Sequence, residues 1–128
     1  MATTALAYPT AAGNPVSDTL LASWLAMKAG DVGAPLKVGE FEQRATIHSQ
    51  GVIGAAGSVI LRGSNLPNPD PAVPANWFPM KDAFNAAVTA TALPAYQEIS
   101  ANPLWLSPIA AGDGTTAIDV YFLTKKTS

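Results

Sequence analysis

The side chains able to do chemistry in this 128-residue sequence are few and scattered. There is one histidine, His48, and no cysteine. A multi-histidine metal site therefore cannot be assembled within one chain, and any Ser/His/Asp relay would have to run through His48. Thiolate nucleophiles, thiolate metal sites and disulfides are excluded. The carboxylates are Asp18, Asp31, Glu40, Glu42, Asp70, Asp82, Glu98, Asp113 and Asp119. Glu40 and Glu42 share one strand face, but they read as solvated rim charge rather than as a glycosidase pair. Asp31 and Asp113 stand beside glycines, which suits Asx-type turns; a calcium loop needs closely spaced oxygen ligands, and no Asp-x-Asp pattern occurs. Gly51-x-x-Gly54-x-x-Gly57 has the wrong spacing for a dinucleotide fingerprint, with no helix after it to face a phosphate, so it reads as a hairpin connection. Trp24, Trp77 and Trp105 are expected to anchor the core; a sugar-stacking platform or interface anchor is the alternative. The expectation is a chain with no catalytic, cofactor-binding or metal-ligating residue and no small-molecule substrate.

The elements around these residues read as β. Thr19 to Met27 fits helical spacing through Leu20, Leu21, Trp24 and Leu25, but it can equally be drawn as a strand, and the β character downstream favours the strand. In Phe41 to Ser49, Phe41, Gln43, Ala45 and Ile47 alternate with Glu42, Arg44, Thr46 and His48, giving a strand with one wet face. His48 falls on that face, as an exposed strand histidine or a pH-dependent contact. Ser58 to Arg62, Tyr96 to Ser100, Leu104 to Ile109 and Ala117 to Leu123 are further strand candidates, and Phe84 to Thr91 fits a strand or a turn of helix. Asn65 to Pro79 holds Pro67, Pro69, Pro71, Pro74 and Pro79; each proline removes a backbone donor and fixes φ, so this is a stiff surface loop, with Trp77 and Phe78 tucking back onto the core. Short strands broken by Gly, Pro and Asn clusters are the signature of a sandwich or jelly roll. The predicted architecture is all-β: an extended arm over 1–18, then one antiparallel β-sandwich domain over 19–128, jelly-roll-like, with a proline-rich loop at 65–79.

Composition narrows the partners. Hydrophobic residues make up 48% of the chain against 12% charged, which suits a globular fold with a weakly charged surface that neighbours cover. The net charge is −2, and Lys28, Lys37, Arg44, Arg62, Lys81, Lys125 and Lys126 are too dispersed for phosphate binding, so no nucleic acid is expected. No stretch approaches the ~20 apolar residues that span a bilayer, and Met1 to Ala12 lacks the features of a signal peptide. The expectation is a protein made in the cytoplasm, with no membrane partner.

Several segments taken in order carry a resemblance. They are Trp24 followed by Gly30-Asp31-Val32-Gly33-Ala34-Pro35; the strand from Phe41 into Gly51-Val52-Ile53-Gly54-Ala55-Ala56-Gly57; Ser58 to Arg62 followed by Gly63-Ser64-Asn65; Trp77; and Gly112-Asp113-Gly114-Thr115-Thr116. From about Trp24 to Leu123 the chain resembles the capsid cement or decoration proteins of tailed bacteriophages, departing from them where Leu66 to Asn76 inserts its proline-rich excursion. The resemblance implies a jelly-roll or related sandwich, no catalytic residue, and a place on the capsid exterior of a virion made in a bacterial host. It also implies the major capsid protein as partner and self-association as a homo-oligomer, a dimer or trimer. The contact elements expected on this view are the arm, through Tyr8, Pro9 and Pro15, and the loop, through Leu66, Pro67, Pro69, Pro71, Val73, Pro74 and Trp77.

Overall fold

The computed structural model describes residues 2–7, 19–38, 41–82, 86–99 and 103–126. Their strands are β1 (Thr3–Thr4), β2 (Leu6–Ala7), β3 (Thr19–Met27), β4 (Val32–Gly33), β5 (Leu36–Lys37), β6 (Phe41–Val52), β7 (Ser58–Ser64), β8 (Phe78–Pro79), β9 (Thr89–Ala90), β10 (Ala95–Ile99), β11 (Trp105–Ala111) and β12 (Ala117–Lys126). A three-residue 3-10 turn, Pro74–Asn76, is the one helical element among the described residues. The expected all-β sandwich is what forms. A first sheet runs β1-β4-β11-β7-β8, with β5 also on β11 and β9 also on β7; a second runs β10-β6-β12-β3-β2. All pairings are antiparallel except the short β1–β4 contact.

Alternation builds the core between the sheets. Ile118, Val120 and Phe122 of β12 are fully buried, as are Ala22, Trp24 and Met27 of β3; Ala45 and Ile47 of β6 and Ile99 of β10 complete the second sheet's inner face. Val59 and Leu61 of β7 meet them with Leu106 and Ala110 of β11. The segment Thr19–Met27 is therefore a strand, as its surroundings demanded: β12 pairs along it from Lys125↔Thr19 to Ile118↔Met27, with a bulge near Ala26, whose φ is +56°. The Trp24 ring lies in the core, and its Nε1 donates to the Ala34 carbonyl at 2.9 Å, satisfying the buried indole.

Three expectations change in the structure. The glycine run 51–57 is not a hairpin: β6 lies in the second sheet and β7 in the first, so it carries the chain across the sandwich. Period-two alternation gives each strand a face but not a neighbour, and stacked strands look the same as paired ones in sequence. The stretch 1–18 is not an arm from its first residues, because Thr3–Thr4 pairs with β4 and Leu6–Ala7 with β3, closing edges of both sheets of its own chain; residues 8–18, with Tyr8, Pro9 and Pro15, lie outside the described residues. Phe78 does not tuck in. It is 42% exposed, and Phe78–Pro79 makes a two-residue edge pairing on β7, where a proline costs no ladder bond.

Candidate functional site

The proline-rich loop is held by bonds that its own sequence supplies. The Asp70 carboxylate accepts from the Ala72 N–H at 2.9 Å, an Asx turn, and the Asn76 side-chain oxygen accepts from the Asp70 N–H at 2.9 Å. The Asp70 carbonyl accepts twice, from the Val73 N–H at 3.0 Å and from the Trp77 indole at 2.8 Å. The Trp77 N–H closes the 3-10 turn on Pro74 O at 3.1 Å. Prolines set the backbone and three polar side chains lock it, so little ordering entropy remains to be lost on binding.

Beneath the loop sits Arg62 of β7, 8% exposed, on the outer face of the first sheet. Its guanidinium lies 5.0 Å from the Trp77 ring centroid, a cation–π contact. Nη2 donates to Pro71 O at 3.2 Å and to Ser107 Oγ at 2.9 Å, while Nε reaches Ser107 O at a long 3.4 Å. The Ser107 hydroxyl in turn donates to Gly33 O at 2.7 Å. One cation thus ties loop, β7, β11 and β4 together. Burial lowers the Arg62 pKa below its ordinary value, and no acidic group among the described residues offsets that.

Of the loop residues expected to make contacts, Leu66 and Val73 are 45% and 40% exposed, Pro67 and Pro74 are exposed, and Pro71 is half-buried. Pro69 and Trp77 are buried, so they support the loop from below. Pro71, Pro74, Trp77, Phe78 and Pro79 form one wall of a cleft of about 200 Å³, with Ile60, Ile109 and Arg62 on its sheet side. A shallower depression on the other flank runs along Ser64, Asn65, Leu66, Ala75 and Asn76. Sequence reading found the loop but not Arg62. An arginine in an otherwise apolar strand, Ser58-Val-Ile-Leu-Arg62, was the available signal.

The outer face of the second sheet carries a different row. Register places Tyr96, His48, Tyr121 and Ser23 side by side on β10, β6, β12 and β3. His48 is exposed as expected, with its ring edge-on to Tyr121 at 6.3 Å between centroids, and Tyr96 is 68% exposed. Leu123, in the neighbouring row, is 41% exposed. The three tryptophans lie apart: Trp24 is in the core, Trp77 is under the loop, and Trp105 is half-buried with an Nε1 that meets no acceptor among the described residues.

At one end of the sandwich the two glycine-rich crossings, 53–57 and 112–116, are clipped together. Asp113 accepts from the Ala55 N–H at 2.9 Å through Oδ2, and from the Thr115 N–H and hydroxyl through Oδ1 at 2.8 and 2.6 Å. Thr116 donates its hydroxyl to Ile53 O at 2.8 Å. These donors hold the Asp113 pKa below the usual carboxylate range, the Thr115 hydroxyl most. The Asx role expected of Asp113 is met, and the ligand-like oxygens are occupied by the fold's own N–H and O–H groups.

Compared with known proteins, the chain matches no family model, no curated protein and no solved structure.

Proposed function

We propose that the chain is a non-enzymatic jelly-roll protein of a tailed-phage virion that binds the outer surface of the assembled capsid and stabilises it. The strand order supports the topology. Taking β4 and β5 as one broken strand, and β8 and β9 as another, successive strands from β3 onward change sheets at every step except from β7 to β8/β9, so that β3-β12-β6-β10 faces β4/β5-β11-β7-β8/β9. That is the order produced by folding one long hairpin over on itself, the double Greek key of a jelly roll.

The observation that carries the binding role is the loop, braced from inside, whose exposed residues include the apolar Leu66, Pro67, Val73, Pro74 and Phe78. Exposed apolar side chains on a pre-ordered scaffold suit a protein surface, since contact gains apolar burial at small entropic cost. The resemblance to cement proteins supplies the partner, the major capsid protein, and the expected self-association. Binding only the mature lattice stabilises that lattice by mass action. Particles that lack the protein should burst at lower temperature and under milder osmotic shock than complete ones, and restoring the purified chain should restore their resistance. Equal fragility removes the cement role.

A second reading, a carbohydrate-binding module or tail-associated adhesin, is favoured by the Tyr96–His48–Tyr121 row, since an exposed tyrosine ring such as Tyr96 can stack on a sugar. Glycan-dependent shifts of the Tyr96 and Tyr121 ring resonances, with the Tyr121 shifts lost in Tyr96→Ala, would select it over the capsid role.

A further inference from the structure

We propose that the cleft between the proline-rich loop and the first sheet is a socket for a single glutamate or aspartate side chain projecting from a partner protein. The inference stands on the cleft alone and does not require the partner to be a capsid. Its walls are apolar, through Ile60, Ile109, Phe78 and three prolines, and the one charge lining it is Arg62. A guanidinium has five N–H donors. Three are taken, one from Nε and two from Nη2, all by neutral oxygens. Nη1 meets no acceptor among the described residues, yet it is not sealed from solvent.

A cation withdrawn from water with no anion beside it among the described residues is costly, and a carboxylate brought to Nη1 would supply a counter-charge in a weakly screened setting. Size selects the occupant. At about 200 Å³ the cleft is smaller than the ~300–1,000 Å³ of small-molecule sites and suits one side chain, with Phe78 and the prolines left to cover that residue's apolar neighbours. The expected partner feature is thus an acidic residue flanked by aliphatic ones. This is the pattern of an interface anchor entering a pocket with an apolar rim.

The test uses the full chain, ¹⁵N-labelled, titrated with the blocked peptides Ac-Val-Glu-Val-NH2 and Ac-Val-Gln-Val-NH2 and with sodium propionate. The signals read are the Arg62 Nε–H and the Trp77 indole N–H. The glutamate peptide should move both, bind at least about ten-fold more tightly than its glutamine twin, and weaken as salt is raised. Phe78→Ala, at the exposed rim, should keep the fold and weaken the peptide about three-fold. Arg62→Gln should abolish the preference for glutamate; should that variant fail to fold, the location of the shifts and the Phe78→Ala result decide the question. Equal binding of the two peptides, no shift at Arg62 and Trp77, or indifference to Phe78→Ala overturns the socket. Propionate binding as tightly as the glutamate peptide overturns its assignment to a protein side chain.

Discussion

Arg62 and Asp113 do opposite things with buried and exposed charge. Arg62 is a nearly enclosed cation whose hydrogen bonds all go to neutral oxygens, and it keeps the loop seated through Trp77. Trp77→Ala should therefore cost about 3 kcal/mol, within the range for emptying an aromatic site. In a denaturant titration, amide exchange over 65–76 should speed up more than exchange in β12. Asp113 works near the surface, and its lowered pKa fixes the sign of its pH effect. Because the folded value lies below the unfolded one, the stability it contributes is present above about pH 4 and is lost as pH falls through the folded value. Thermal melts of Asp113→Asn should show a flatter acid limb than those of the parent chain; identical acid limbs would place the clip's stabilisation elsewhere. Trp105 offers a third check. Its buried Nε1 has no acceptor among the described residues, so Trp105→Phe should leave stability unchanged or raise it by about 1 kcal/mol, since the substitution removes an unpaired donor.

At the scale of elements, the clearest strands were legible because one face had to be apolar. Ile118, Val120 and Phe122 could point only inward, and residues 45–50 of β6 alternate in the same way. Pairing partners were not legible. The hairpin reading of 51–57 failed because two stacked strands joined by glycines look the same as two paired ones until the sheets are assigned, and the assignment depends on contacts far away in sequence, such as β12 lying between β6 and β3. The crossing has a steric requirement that sequence hints at but does not explain. Gly51 has a φ of +119°, and a Cβ there would sit 2.2 Å from the Ala117 carbonyl oxygen of β12. Gly51→Ala should then destabilise the fold by more than about 1 kcal/mol, measured as a lower midpoint in urea. The loop was legible as a loop from its prolines, but not the brace beneath it, since Arg62, Ser107 and Trp77 are brought together only by β7 pairing with β11. The first residues were misjudged for a related reason. Ala2 to Ala7 carries no strong strand pattern, yet both sheets offer open edges for it to cover. Deleting residues 2–7 should lower the melting temperature and expose edge donors that promote self-association, read as a shift to larger species on size exclusion.

For the whole molecule, the two outer faces differ. The second sheet presents the tyrosine and histidine row, while the first sheet is partly roofed by a loop locked by its own hydrogen bonds, with Leu66, Val73 and Phe78 exposed on it. A low net charge leaves little electrostatic resistance to close packing against neighbours. The account centres on that roof as the gripping surface. The most direct measurement adds purified chain to matching capsids that lack it and counts copies per particle, for the parent and for a Leu66→Ser, Val73→Ser, Phe78→Ser triple variant whose fold is verified by its melt. The account predicts saturable, symmetry-matched occupancy for the parent and at least about a ten-fold weaker attachment for the variant, given the apolar area removed. Equal occupancy of the two proteins, or no attachment of the parent at all, contradicts it.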